Sequence, residues 1–102
     1  YIKDFGQTTN EEYPYIAETQ PTCTKNTGNY NIFGLAEASG CEEIETLIVR
    51  RPLAVRVDAT NWSTYRSGVF SHCDKKINHA VFMVGSNENY WIIKNSWGKN
   101  WG

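Results

Sequence analysis

The sequence predicts an α+β fold in which one helix precedes the strands, on three observations. A single stretch, "SGCEEIETLIVRR", carries helical periodicity and is punctuated at both ends. Three short apolar stretches of strand character follow it: "LAVRVD", Ala80–Val84 and Tyr90–Ile93. Helices and strands do not alternate, so nothing points to a parallel βαβ unit.

Taken in order, Tyr1–Phe5 reads as the tail of a helix stopped at Gly6. Residues 6–31 hold "TTNEEYPY", "TQPTC" and "NTGNYN", rich in turn formers and without sustained periodicity. Such a long irregular segment usually covers a functional surface or another layer. A short strand is expected around Tyr30–Leu35. In the clear helix, Ser39 and Glu42 have capping-box spacing. Glu42, Glu43 and Glu45 near its start, and Arg50 and Arg51 near its end, suit the helix dipole. Ile44, Leu47 and Ile48 form the buried stripe, and Pro52 stops the helix. Alternation in "LAVRVD" puts Leu53, Val55 and Val57 on one face and Ala54, Arg56 and Asp58 on the other. "TNWSTYRSG" reads as a turn or short helix.

Composition narrows the function classes. The chain has 102 residues, 40% hydrophobic and 14% aromatic, with four Trp and six Tyr, which suits a folded domain rather than a disordered one. Net charge is −1 and no basic run occurs, so a nucleic-acid partner is not expected. No apolar stretch approaches the roughly 20 residues of a membrane helix, so a membrane partner is not expected either. The ends, Tyr1 and a Gly102 directly after Trp101, suggest a mature chain or a fragment of something longer. The odd set of cysteines, Cys23, Cys41 and Cys73, leaves both oxidising and reducing surroundings open.

The last two strands each carry a conspicuous polar residue, His79 and Asn95. Between them "GSNEN" is a connection of hairpin type. Symmetry about Asn87 opposes Val84 to Tyr90 and His79 to Asn95. Opposed residues bring their Cβ atoms to roughly 4.5–5.5 Å, within reach of an amide-to-imidazole hydrogen bond. One ring nitrogen is then tied and the other is free to handle a proton. An Asn orients the ring without adding a full negative charge, which suits a thiolate–imidazolium pair better than a serine. A satisfied structural pair is the other reading of the pairing alone.

"NHAVFMVG" and "YWIIKNSWGKNWG" resemble the papain-like cysteine proteases, the family that includes cathepsins. "YPY", "PLAVRVDA" and "YRSGVF" fit that family in the same order, and the resemblance covers nearly the whole chain. It implies a papain-like fold, here partial. Residues 1–35 would be the end of the helical left domain with the interdomain segment. Residues 36–102 would be the β-barrel-like right domain without its closing strands. It implies thiol-dependent hydrolysis of peptide bonds in peptide or protein substrates, without a cofactor or metal. His79 would be the general acid/base, Asn95 its orienter and Trp97 the shield over their hydrogen bond. Ile77, Asn78 and Ala80 would flank the main specificity pocket, with Arg56 as a wall residue. An Arg departs from the small apolar residue usual there, and either points to solvent or biases the pocket towards acidic or polar groups.

The family's catalytic cysteine and oxyanion glutamine sit in a stretch that does not occur here, so the missing N-terminal part of the protease is the implied partner. Cys23 and Cys73 fall where the family places half-cystines, and Cys41 is read as a packing residue. "NWS" makes Asn61 a glycosylation candidate and suits a lysosomal or secreted protein. A zinc site built from His72, Cys73, Asp74 and His79 matches no standard spacing. The alternative function is that of a catalytically inactive homologue serving as a binding or storage protein.

Overall fold

The structure, a computed structural model, describes residues 1–102 and divides into two compact units, Tyr1–Glu37 and Ala38–Gly102. In the first, α1 (Ile2–Phe5) is a single turn that ends at Gly6, whose φ of 75° is costly for any other residue. Segments on either side of Gly6 and Gly28 touch closely: a Cβ on Gly28 would strike the backbone of Gln7. That approach lets Gln7 and Tyr30 exchange two backbone hydrogen bonds, of 2.7 and 3.1 Å. The strand expected at Tyr30–Leu35 shrinks to this one bridge, and Phe33 and Leu35 are exposed. Within "TNEE", Thr9 and Glu12 cap each other's backbone, the Glu12 N–H donating to Thr9 Oγ1 at 3.2 Å.

In the second unit, α2 (Cys41–Ile48) is shorter than the sequence implied. Gly40 takes the N-cap, and Glu43, not Glu42, reaches back to the Ser39 N–H at 2.8 Å. Arg50 and Arg51 lie beyond the helix, their N–H groups both donating to the Leu47 carbonyl. Of the expected stripe, Ile48 is buried while Ile44 and Leu47 are half-buried.

Three antiparallel strands follow, β1 (Leu53–Val57), β2 (His79–Ser86) and β3 (Trp91–Lys94), in the order β1-β2-β3. The β1–β2 register puts Leu53, Val55 and Val57 opposite Met83, Val81 and His79, and these side chains share one face. Val81 and Met83 are buried, and with Ile48 and Ala59 they form the small core. Ala54 and Arg56 oppose Phe82 and Ala80 on the other face, where Phe82 stays exposed. Helix α2 packs against β2. The architecture is therefore α+β with a small antiparallel sheet.

Two details depart from simple alternation. Strand β1 stops at Val57, so Asp58 falls outside the alternation that set it with Ala54 and Arg56, and it is the one buried charged residue. A bulge between Met83 and Gly85 shifts the β2–β3 register. The pairs are Ser86 with Trp91 and Phe82 with Lys94, not Val84 with Tyr90. The connection is a tight turn over Asn87–Tyr90, in which Asn87 Oδ1 accepts the N–H groups of Asn89 and Tyr90.

Candidate active site

His79 opens β2 beside Val57, and Asn95 lies one residue past the end of β3. Both are half-buried. The imidazole Nε2 lies 2.9 Å from Asn95 Oδ1. That oxygen also accepts the Ser96 N–H at 2.8 Å, which fixes which end of the amide faces the ring. An oxygen already receiving one N–H can accept a second but cannot donate, so the imidazole must donate through Nε2–H. Nδ1 is then the nitrogen left to exchange a proton.

Aromatic rings enclose this pair. Trp97 stacks on the imidazole at 5.2 Å between centroids and 27° between planes. Trp62 stands edge-on to His79 at 6.4 Å and 89°. Trp101 stacks on Trp62 at 6.2 Å, and its indole N–H donates to the Trp62 carbonyl at 2.8 Å. Trp101 thereby holds Trp62 in place. The sequence reading missed Trp62, which sits in an irregular turn whose sequence carries no periodic signal.

The segment before His79 is fastened to the turn after β1. The Asn78 N–H donates to the Val57 carbonyl at 3.1 Å. Its side-chain Oδ1 accepts the Ala59 N–H at 2.9 Å, and Nδ2 donates to Thr60 Oγ1 at 2.9 Å. The Asn78 side chain is thus occupied within the fold. Asp58 accepts the Thr60 N–H on Oδ1 at 2.9 Å and the Lys76 N–H on Oδ2 at 2.8 Å. Hydrogen bonds from Thr60, the hydroxyl first and the amide second, hold the Asp58 carboxyl below its ordinary 3.8 against the opposing effect of burial. The amide and charge of Lys76 act in the same direction as Thr60.

Ile77, Ala80 and Arg56 are exposed, and Arg56 pairs directly with Ala80 across the β1–β2 ladder. An open groove of about 880 Å³ runs between Arg56, Trp62, Ile77, Tyr90 and Trp101. Cys23, Cys41 and Cys73 are free and exposed thiols, and Cys23 Sγ donates to the Lys25 carbonyl at 3.2 Å. Cys41 therefore does not pack into the core as expected. His72 stands beside Phe70, and no group of three metal-ligating side chains forms around it. Asn61 is exposed, its amide donating to the His72 carbonyl at 3.4 Å. No helix is long and apolar enough to cross a membrane.

A tied imidazole nitrogen, an opposed free one and an indole over the ring form an arrangement that is able to hold and pass a proton. Comparison with known proteins gives the family. The family profile "Papain family cysteine protease" matches residues 1–102, and the chain belongs to that family. It is 39% identical over 104 residues to "Cathepsin L 1" of Paramecium tetraurelia, covering 100% of this chain and 33% of the relative. It is 41% identical over 114 residues to the "Cathepsin L-like proteinase" of Fasciola hepatica, covering 100% of this chain and 35% of the relative. "Fruit bromelain" of Ananas comosus is 37% identical over 112 residues, 99% of this chain and 32% of the relative. The chain thus spans about one third of the length of these curated relatives.

Proposed function

We propose that the protein carrying this chain is a thiol-dependent peptidase in which His79 is the general acid/base and Asn95 its orienter. The observation that carries this reading is the Nε2–H bond to an asparagine oxygen anchored by Ser96. It leaves Nδ1 as the working nitrogen. Family membership supplies the reaction class.

In this reading the nucleophile is a cysteine outside residues 1–102, with an oxyanion glutamine also supplied there. The thiolate attacks the scissile carbonyl carbon, and the carbonyl electrons move onto oxygen. As the tetrahedral species collapses, the His79 imidazolium gives its Nδ1 proton to the leaving amine and a thioester remains. Neutral His79 then takes a proton from water, whose oxygen attacks the thioester; collapse releases the carboxylic acid and the thiolate and restores the thiolate–imidazolium pair. Trp97 excludes water from the Nε2–Asn95 bond, and a drier surrounding strengthens that bond.

The division into compact units at Glu37 and Ala38 supports a left-domain remnant over about 1–35 and a right domain from about 36. The aromatic-lined groove suits closing strands of a β-barrel-like domain supplied by the rest of the protein. Ile77, Ala80 and the stem of Arg56 would line the main specificity pocket, with Asn78 contributing backbone only. Cys23 and Cys73 are accessible as half-cystines to partners elsewhere in the protein. The exposed Asn61 in "NWS" supports glycosylation and a lysosomal or secreted destination.

The test is hydrolysis of a fluorogenic peptide by the full-length protein in the presence of thiol. The expected result is turnover abolished by cysteine alkylation and by His79→Ala. Turnover that survives His79→Ala, or a folded wild type without any, overturns the reading.

A further inference from the structure

Asp58 takes no part in the proposed chemistry, yet it is the one buried charged residue. Its two oxygens receive different backbone donors, Thr60 N–H at 2.9 Å and Lys76 N–H at 2.8 Å. The second bond joins residues 18 positions apart, so the carboxylate ties two chain segments rather than closing a local turn alone. Asn78 adds its bonds to Ala59 and Thr60 beside this tie. His79 is the next residue, and it pairs with Val57, the residue before Asp58.

The same turn also governs the ring's neighbour. The Trp62 N–H donates to the Ala59 carbonyl at 3.0 Å, and the Trp62 indole presents its edge to His79. The Asp58 turn therefore sets both where β2 begins and where the aromatic wall stands. These two consequences meet at one imidazole.

We propose that Asp58 is a positioning residue for His79: its carboxylate clamps residues 58–60 onto residues 76–78, and through that clamp fixes the imidazole between Trp62 and Trp97. The catalytic consequence rests on the peptidase reading; the geometric claim does not. An aspartate suits the task because each oxygen accepts one N–H. An asparagine has a single acceptor oxygen and would turn an NH₂ group towards one of the two donors.

The test uses the full-length protein carrying Asp58→Asn, with peptide kinetics and the ¹⁵N and ¹H ring signals of His79. The expected result is a kcat lowered about tenfold or more with KM changed less than about twofold, since small misplacements of catalytic groups act on the chemical step. The His79 signals move with it. A lowered melting temperature with kcat and His79 signals unchanged means a purely structural role and overturns the proposal. Loss of kcat without movement of the His79 signals overturns it too, as does movement without loss of kcat. If Asp58→Asn does not fold, Thr60→Ala at an exposed position removes the hydroxyl that accepts the Asn78 amide beside the clamp. A few-fold loss of kcat with moved His79 signals then supports the clamp, and no change overturns it. A wild type that cleaves no peptide defeats the peptidase reading, while the His79 signals still decide whether Asp58 holds the ring.

Discussion

His79 and Asn95 are joined by a 2.9 Å hydrogen bond although the sheet does not pair them. Continuing the register from Phe82 and Lys94 would oppose Asn95 to Val81, which lies on the same face as His79 but two residues along the strand. The contact is a diagonal one, set by the chain's exit from β3 and by the Ser96 N–H that anchors the amide.

If Asn95 acts only through the ring to which it is bonded, its contribution should vanish when the ring is gone. In the full-length protein, His79→Ala is expected to cost about 10²–10⁴-fold in kcat. Asn95→Ala alone is expected to lower kcat/KM about tenfold or more, but to add less than about twofold in the His79→Ala background. Peptide kinetics on the four proteins of this cycle give the answer. Additive losses would show that Asn95 acts elsewhere.

Trp97 covers the ring face while remaining 41% exposed itself, so it works as a lid rather than as core. Trp97→Ala should therefore cost little global stability, about 0.5–1.5 kcal/mol from the lost aromatic pairing. Its larger effect should be on coupling: with water admitted to the hydrogen bond, Asn95→Ala should cost less than it does with the indole in place. An undiminished Asn95 effect in the Trp97→Ala protein would remove the shielding role.

Residue chemistry carried much of this site in the sequence. A lone His and a lone Asn at the ends of two adjacent apolar strands indicated an oriented imidazole, and the bulge altered the register without parting them. Such a bulge is invisible to loop symmetry, because "MVGS" contains no residue that forces one. Asp58 was misplaced because alternation was carried one residue past the end of β1, where hydrogen-bond partners 18 positions away decide the side chain's direction. Trp62 and Thr60 belong to a turn held by tertiary contacts, which leave no periodic trace. The missing strand at Tyr30–Leu35 has the same origin: strand propensity there finds one partner, Gln7, and no ladder beyond it.

The lowered Asp58 pKa carries a pH dependence of stability. The folded state binds the proton less tightly than the unfolded chain, so this stabilisation is present above the ordinary value near 3.8 and is lost as pH falls through the folded value beneath it. Thermal melts between pH 7 and pH 3 should show an acid-side decline that is shallower in Asp58→Asn than in wild type. Equal slopes would mean that the carboxylate is no more favoured in the folded state than in the unfolded chain.

Residues 1–102 alone should not cleave peptides. The His79 ring bonds to Asn95, and the only hydrogen bond from a thiol goes from Cys23 to the Lys25 carbonyl. The expected rate with thiol present is that of buffer. Turnover that disappears on replacing Cys23, Cys41 or Cys73 with Ser would bring the nucleophile inside this chain.

Arg56 departs from the small apolar residue that the family resemblance implies at its position, and in the proposed pocket its surroundings favour the stem over the charge as the part to meet a substrate. It pairs with Ala80 on the face opposite His79, it is exposed, and no carboxylate forms an ion pair with it, the sole salt bridge being Lys25 with Glu12 at 3.6 Å. An exposed guanidinium is screened by water and salt, so its charge should discriminate weakly between acidic and neutral side chains. The methylene stem, by contrast, can pack beside Ala80 and narrow the pocket. Arg56→Met keeps a stem of similar bulk and removes only the charge. In the full-length protein it should leave the ratio of kcat/KM for acidic over neutral residues, two positions before the cleaved bond, within about twofold of wild type. Arg56→Ala should instead favour bulkier apolar residues at that position. A fall of about fivefold or more in the acidic-to-neutral ratio with Arg56→Met would put the guanidinium in the pocket, because a desolvated charge is worth far more than a screened one.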